Sequence, residues 1–469
     1  MTPIFESSNF IESRMGFDPI AWKRNGDVFS AWKNKLLGEN ISTEIERCIM
    51  THTHGSTGEL SPPDGGAFNM VFRMKFSDTE SAVMRLPKPG FCVFPEEKVK
   101  IEVAVMRFLQ KHTNIPIPHV FHCGTIEESP GQLGPFIIME YIKSDCNLAD
   151  ALKTPNLDDK RPILDPNIPE DRLRSVYSEI AKVLLELGKH SFNEIGSISN
   201  SGYDELVDNW TVTHRPLTMN MNRLVQLGNF PPHLLPQDTF KSASEYFLAL
   251  AEMHMTHLYM QPKGAIVSAE DCRRKYIARC LFRKLARENR LCRYDKGPFK
   301  LFCDDLRPSN ILANSNDNFN IAGAIDWEFS YAAPAEFLYT PPTWLVLERP
   351  EAWSQGLDDW AESYEKRLPI FLEELVKQET SAINNGSLSE NEKIAERMKE
   401  SWKSGDFWVN YAARRSWAFD MVFWAKIDRR FFGKGGLKDR YDLLTREERN
   451  RMEEFVQRKL AQMQESEST

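Results

Sequence analysis

The residues best suited to chemistry are Asp305, Asn310 and Asp326. They lie in Phe302-Cys303-Asp304-Asp305-Leu306-Arg307-Pro308-Ser309-Asn310-Ile311-Leu312 and, further on, Ala324-Ile325-Asp326-Trp327-Glu328. A carboxylate in a tight loop, an amide five residues later and a second carboxylate after a strand suit phosphoryl transfer. That reaction needs one carboxylate to orient an attacking hydroxyl and accept its proton. It also needs hard oxygen ligands to hold Mg²⁺ against the phosphates of a nucleotide such as ATP. Asp305 is the candidate for the first task, and Asn310 with Asp326 for the second. Leu312 is expected to form the apolar floor under the adenine. A turn rich in Asp, Pro, Ser and Asn also has a purely local explanation; the strand–loop–strand–Asp spacing argues against it.

Such a site needs a lobe that grips the phosphates. After the turn Pro62-Pro63-Asp64-Gly65-Gly66, the residues Phe68, Met70, Phe72, Met74 and Phe76 alternate with mainly polar neighbours. Period-2 alternation predicts a half-buried strand, or two joined by a bend. Ser77 to Glu80 is a second turn, and Ala82 to Leu86 a short strand carrying Arg85. Pro95 opens a helix, Glu96 to Lys111, with Val99, Val103, Met106 and Leu109 on one stripe. Glu102 falls inside that stripe, where an unpaired carboxylate is costly, so a partner is required and Arg85 is the obvious one. Together they would clamp the phosphates, as a strand Lys and helix Glu do in protein kinases, while Arg presents a planar fork in place of an ammonium. The turn Gly65-Gly66, with Ala67 to Asn69, is a candidate to cover the phosphates with backbone N–H groups; a plain hairpin bend is the simpler reading. The strand Phe136 to Ile142 ends in a candidate hinge, with Glu140 and Ile142 offering backbone groups to the adenine edge.

Three stretches follow: a helical N-terminal extension, 1–60; a small antiparallel-sheet lobe, 61–142; and a mainly helical lobe, 143–469. The last carries helix-like spacing at 171–189, 239–260, 268–292, 358–379 and 406–430, Pro-rich loops at 154–169 and 229–236, and a polar loop at 380–395. One strand pair, Phe299–Phe302 with Asn320–Ile325, interrupts it, and a frayed charged helix ends it. Sheet first and helices later predicts an α+β fold.

The chemistry-bearing segment matches the kinase catalytic loop H-R-D-L-x-x-x-N at its Asp, Leu and Asn. It resembles more closely the loop of aminoglycoside phosphotransferases, H-G-D-x-x-x-x-N followed by I-D-W/F-E/G. More closely still, the chain resembles the large fungal branch of that aminoglycoside/choline kinase-related family. The similarity extends over most of 65–430 and includes Gly66-Ala67-Phe68-Asn69, Val83-Met84-Arg85-Leu86-Pro87 and Arg215-Pro216-Leu217 through Asn222. The resemblance implies a two-lobed, protein-kinase-like fold, ATP, Mg²⁺ and a small hydroxyl-bearing acceptor. Cys303 stands where the family usually has a His that braces the loop. This favours the alternative of a catalytically impaired nucleotide-binding or scaffold protein, which retention of Asp305, Asn310 and Asp326 opposes. Asp304, at a usual Gly, sets a second negative charge beside Asp305 that would welcome an amine-bearing acceptor.

Other classes lose support. The 469 residues are 41% hydrophobic with a formal net charge of −8, a balance that gains no counterion-release affinity for nucleic acid. Eight scattered cysteines form no C-x-x-C pair and suit a reducing compartment. Met1 to Arg14 lacks a targeting pattern and no apolar run spans a bilayer, so a cytoplasmic location and no membrane partner are expected. P-loop, zinc-protease and hydrolase-elbow motifs do not occur, and no A-P-E follows Asp326 as in protein kinases. His52-Thr53-His54 lacks a third metal ligand. Asp420, on the Trp417/Trp424 face of the aromatic helix, is either a structural carboxylate or a partner for a substrate amine.

Overall fold

The computed structural model describes residues 16–464, except 39, 56, 78–79, 156–161, 201–207 and 316–318. The start of the N-terminal stretch, the middle of the 77–80 turn and part of the 154–169 loop therefore lie outside the described residues.

Two helices precede the sheet, α1 (Pro19–Leu36) and α2 (Ile41–His52). Asp18 caps α1 by accepting from Ile20 N–H at 2.8 Å and Ala21 N–H at 3.3 Å, supplying acceptors to otherwise orphaned amides. The sheet comprises β1 (Gly58–Leu60), β2 (Asp64–Gly65), β3 (Asn69–Phe76), β4 (Ala82–Pro87), β5 (Val120–Gly124) and β6 (Phe136–Glu140). It is antiparallel, ordered β1-β3-β4-β6-β5, with β2 on β3. Strand alternation divides its two faces. Met70, Phe72, Met74, Met84, Leu86, Phe136 and Ile138 pack under Phe29, Trp32, Leu36, Ile45 and Ile49 of α1 and α2. Val83, Ile137 and Met139 join the main core with α3 (Pro95–His112). Each fully buried Ile or Met of the outer cluster contributes about 1.5–3 kcal/mol. Residues 16–60 are therefore an integral cover of the sheet, and 58–60 one of its strands. Helix α1 is also fastened to the helical lobe, since Asp18 N–H donates to Leu227 O at 2.8 Å and Asn25 Nδ2 to Gln226 O at 2.5 Å.

The large lobe is built on α4 (Glu170–Gly188), α5 (Met219–Gly228), α6 (Ala243–Met260) and α7 (Ala269–Arg287) and the helices that follow residue 335. The molecule thus has an α+β, two-lobed arrangement, with a small antiparallel-sheet lobe and a large mainly helical one.

Four local expectations need correction. The strand β7 (Phe299–Cys303) does not pair with β9 (Asn320–Ala324). It pairs with β10 (Ser330–Ala333), whereas β9 pairs with β8 (Ile311–Asn314), because the loop 304–310 turns the chain into a second small sheet. The stretch 358–379 is two helices, Leu357–Glu365 and Leu368–Asn384, and the second takes in the start of the polar loop expected from 380. The helix at 406–430 stops at Ala413 and resumes at Phe419 through a π-type turn, Phe423–Ile427. The terminal helix, Arg446–Gln464, docks through Met452, Phe455, Val456 and Lys459; the Lys459 ammonium donates to Tyr259 O and Gln261 O, satisfying a buried charge in a helix whose composition suggested fraying.

Candidate active site at the lobe junction

Strand β7 is held between β10 and the short strand Ser191–Phe192, so Cys303 is buried and the loop after it starts from a fixed point. A short 3₁₀ turn, Pro308–Asn310, returns the chain into β8. Asn310 Nδ2 donates to Asp305 O at 2.9 Å and Ile325 N–H donates to Asn310 O at 2.9 Å. These two bonds set the loop against the residue that precedes Asp326. Asp326 has φ of +58°, a left-handed conformation that short polar residues such as Asp tolerate better than bulky ones.

Arg85 bridges the lobes. Its Nη2 contacts Glu102 Oε1, both side chains being almost wholly buried, and its Nη1 lies 2.5 Å from Asp326 Oδ1. The partner demanded by the position of Glu102 in α3 is thus present. Burial alone would lower the Arg85 pKa; Glu102, Asp326 and Glu328 outweigh it and hold the guanidinium above its ordinary value.

A second buried pair accompanies the first. Lys98, one turn before Glu102 on α3, contacts Glu328. Asn69 joins them, accepting from Lys98 Nζ and donating to Glu328 Oε2, each at 3.0 Å. Burial pushes the Asp326 carboxyl up to about 6, with Arg85 opposing and Glu328, Glu102 and Asp305 adding to the rise. The junction therefore holds Glu102, Asp326 and Glu328 against only Arg85 and Lys98. The excess negative charge sits at Asp326, whose side chain is 31% exposed.

Among the described residues, no group of three or more His, Cys, Asp or Glu is arranged to hold a metal unaided. One carboxylate and one amide oxygen fit Mg²⁺, which keeps waters and phosphate oxygens in its shell. The excess negative charge fits a divalent cation as well.

Cys303 takes up the bracing position. Its Sγ lies 3.6 Å from Glu328 O and 4.0 Å from Asp326 O, and burial pushes its thiol far up, so it remains a protonated, weak donor. Asp304 does not present a free charge beside Asp305. Its carboxylate meets Arg414 at 3.2 Å and accepts from Met219 N–H at 3.3 Å, so the attraction for an amine expected there is already satisfied by protein. Asp420 forms a two-pronged pair with Arg279, at 2.5 and 3.0 Å, and is a structural carboxylate.

Just beyond β6, Ile142 packs on β9, where a Cβ at Gly323 would lie 3.0 Å from it. Gly323 is the register partner of Leu312, so the residues expected as hinge and floor lie close together. The Ile142 N–H has no protein acceptor among the described residues, whereas Glu140 N–H and Tyr141 N–H already donate to His119 O and Ser81 O. The expected covering role of the two glycines is corrected. Gly65 N–H donates to Asp64 Oδ1 and Gly66 N–H to Asn69 O, while Lys88 binds Gly66 O, so both amides are committed within the turn. Ala67 and Phe68 carry the amides at its tip. Phe68 stacks edge-on with Phe329 at 5.4 Å, joining this tip to the Asp326 segment.

A cavity of about 1210 Å³ opens on one side of Asp305. Its walls include Gly65–Phe68, α1 through Trp22 and Phe29, α5 through Asn222 and Arg223, and Trp344, Arg349 and Arg415 of the helical lobe. Arg85, Asn310 and Asp326 are not in its lining. The cavity lining therefore takes in Asp305 but not the Arg85–Asp326 bridge. Two contacts hold this region in place. Arg215 grips Glu97 of α3 at 2.9 and 2.7 Å, and Asn222 spans Phe91 O and Val93 N–H at 2.9 and 3.0 Å.

The side-chain roles of Asn69, Lys98, Glu328, Arg414 and the cavity arginines were not visible in the sequence. A signal for Lys98 existed: it shares the buried face of α3 with Glu102.

No known family profile matches the chain. A stretch of 136 residues, 28% of this chain, is 28% identical to 20% of "Altered inheritance of mitochondria protein 9, mitochondrial" from Zygosaccharomyces rouxii. A stretch of 304 residues, 57% of this chain, is 23% identical to 46% of the protein of that name from Debaryomyces hansenii. The chain thus spans less than half the length of these curated relatives. Among solved structures, a Plasmodium vivax ethanolamine kinase aligns with 87% of this chain and 83% of its own, at 13% identity and a TM-score of 0.40. A macrolide 2'-phosphotransferase type I aligns with 88% and 95%, at 11% identity and a TM-score of 0.41. The cytoplasmic expectation is overturned by the curated relatives, which are named as mitochondrial proteins; a missing leader pattern in Met1–Arg14 does not fix the compartment. Among the described residues, no helix is long and apolar enough to cross a membrane.

Proposed function

We propose that this chain is an ATP- and Mg²⁺-dependent phosphotransferase of the aminoglycoside phosphotransferase-like type, passing the γ-phosphoryl group to a hydroxyl of a small molecule. The observation that carries the reading is the bridge from Arg85 to both Glu102 and Asp326. It joins the lobes at one point and sets two oxygen-bearing side chains, Asp326 and Asn310, on the same loop system as Asp305. Asn310 and Asp326 would hold Mg²⁺, which supplies charge neutralisation for the transferring group. Ile142 N–H and Leu312 would receive the adenine. Asp305 is buried in the cavity wall, where it orients the acceptor hydroxyl and takes its proton as the oxygen attacks phosphorus. Arg307 Nε lies 3.4 Å from Asp305 Oδ1, a contact that fixes the direction in which the carboxylate faces.

Cys303 supports the scaffold alternative less than its identity suggests, because its thiol still reaches the Asp326 and Glu328 carbonyls. Screening hydroxyl compounds for ADP release with Mg·ATP tests the reading. Acceptor-dependent ADP formation above the water-only rate is expected; none across carboxylate, phosphate-ester, neutral and amine acceptors would favour the scaffold.

A further inference from the structure

Three arginines reach the cavity beside Asp305 from separate parts of the fold: Arg223 from α5, Arg349 from the segment before Pro350, and Arg415 from the turn after Ala413. Their surroundings are unusual for basic side chains at depth. Among the described residues, neither Arg223 nor Arg349 has a side-chain hydrogen bond or a carboxylate within ion-pair distance. Arg415 reaches only Met219 Sδ and Asp304 O, each at 3.3 Å, and its Nε is buried without a partner. The nearby acids are Asp305, held by Arg307, and Glu351, which takes the Tyr411 hydroxyl. Asp304 is drawn off by Arg414.

Each of the three is partly accessible, yet the water reaching it is the water of the cavity. Burial, and after it repulsion from Arg349 and Arg415, lowers Arg223 to about 9; burial and then Arg415 lower Arg349. Burial would lower Arg415 too, but Asp304, Tyr411, Glu351 and Asp305 outweigh it and hold it above its ordinary value. Guanidiniums gathered at depth with no carboxylate in contact, among the described residues, destabilise a fold. Such an arrangement persists where an anion relieves it, and guanidinium forks suit carboxylate and phosphate oxygens.

We infer that Arg223, Arg349 and Arg415 bind an anionic group, carboxylate or phosphate ester, on the hydroxyl acceptor and present its hydroxyl to Asp305. The inference rests on the phosphotransferase reading for the acceptor's role, whereas the anion site itself does not. It replaces the amine-bearing acceptor suggested by Asp304 with one of opposite charge.

Thermal unfolding at constant ionic strength, without nucleotide or Mg²⁺, is the test. The probes are glycerate and glycerol 3-phosphate, with glycerol and ethanolamine as uncharged and cationic counterparts. At least one anionic probe should raise Tm by about 2 °C or more near saturation, and which one responds distinguishes carboxylate from phosphate ester. Arg223→Gln and Arg349→Gln should each abolish that rise, and each should leave the unliganded Tm equal or higher because repulsion is removed. A merely structural arginine would instead lower it. The inference is overturned by no anion response in the native protein, by an equal response to ethanolamine, by a response that survives both substitutions, or by a lowered unliganded Tm in both. Saturating Mg·ADP should leave the anion response in place; its loss would assign the arginines to the nucleotide. A Mg·ATP response measured alone reports on the phosphotransferase reading, so the two can fail separately.

Discussion

Asp305→Asn should lower acceptor-dependent turnover by a factor of about 10³, within the range expected for loss of a general base, while Mg·ATP affinity changes little. The substitution is nearly isosteric and leaves the Asp305 carbonyl free to accept from Asn310 Nδ2, so the loop keeps its shape. What disappears is the only function a carboxylate has here that an amide lacks: accepting the hydroxyl proton. Kinetics of ADP release under acceptor saturation would show the fall in kcat. An unchanged kcat would remove Asp305 from the chemistry and return the site to the scaffold alternative.

Arg85→Met should destabilise the protein by about 3–5 kcal/mol, the cost of leaving a buried charge without its partner. Two carboxylates lose their counter-charge in this variant, Glu102 inside the helix stripe and Asp326 at the lobe junction. Lys98 cannot substitute, because Glu328 and Asn69 already engage it. Adding Glu102→Gln to Arg85→Met should recover part of the loss, so that the double variant is more stable than the two single effects predict by addition. Urea denaturation of the four proteins gives the coupling directly. Strict additivity would mean that the pair contributes nothing as a pair.

The parts of this site visible in sequence were those with local constraints. The interval from Asp305 to Asn310 reflects a single turn, and alternation from Phe68 to Phe76 reflects one strand with one face inside. Glu102 was visible because an acid on an apolar stripe breaks the pattern and requires a cation. Lys98 lies on the same helix, but a Lys near a helix start resembles a solvated residue until its partner is known. That partner, Glu328, is supplied from far along the chain. The fate of Asp304 was hidden for the same reason: Arg414, which draws it away from Asp305, comes from an interrupted helix whose break no periodicity marks. The short strands at 58–60 and 120–124 carry too few residues to show alternation and acquire their pairing from neighbours. The cavity arginines come from three separate segments, each with no pattern of its own.

The most direct test is calorimetric titration of ATP into the protein with Mg²⁺ and with EDTA, repeated for Asp326→Ala. The account predicts saturable binding that depends on Mg²⁺ and weakens at least about tenfold when Asp326 is lost, a difference of about 1.4 kcal/mol. ATP binding that is equally tight in EDTA, or unaffected by Asp326→Ala, would contradict it.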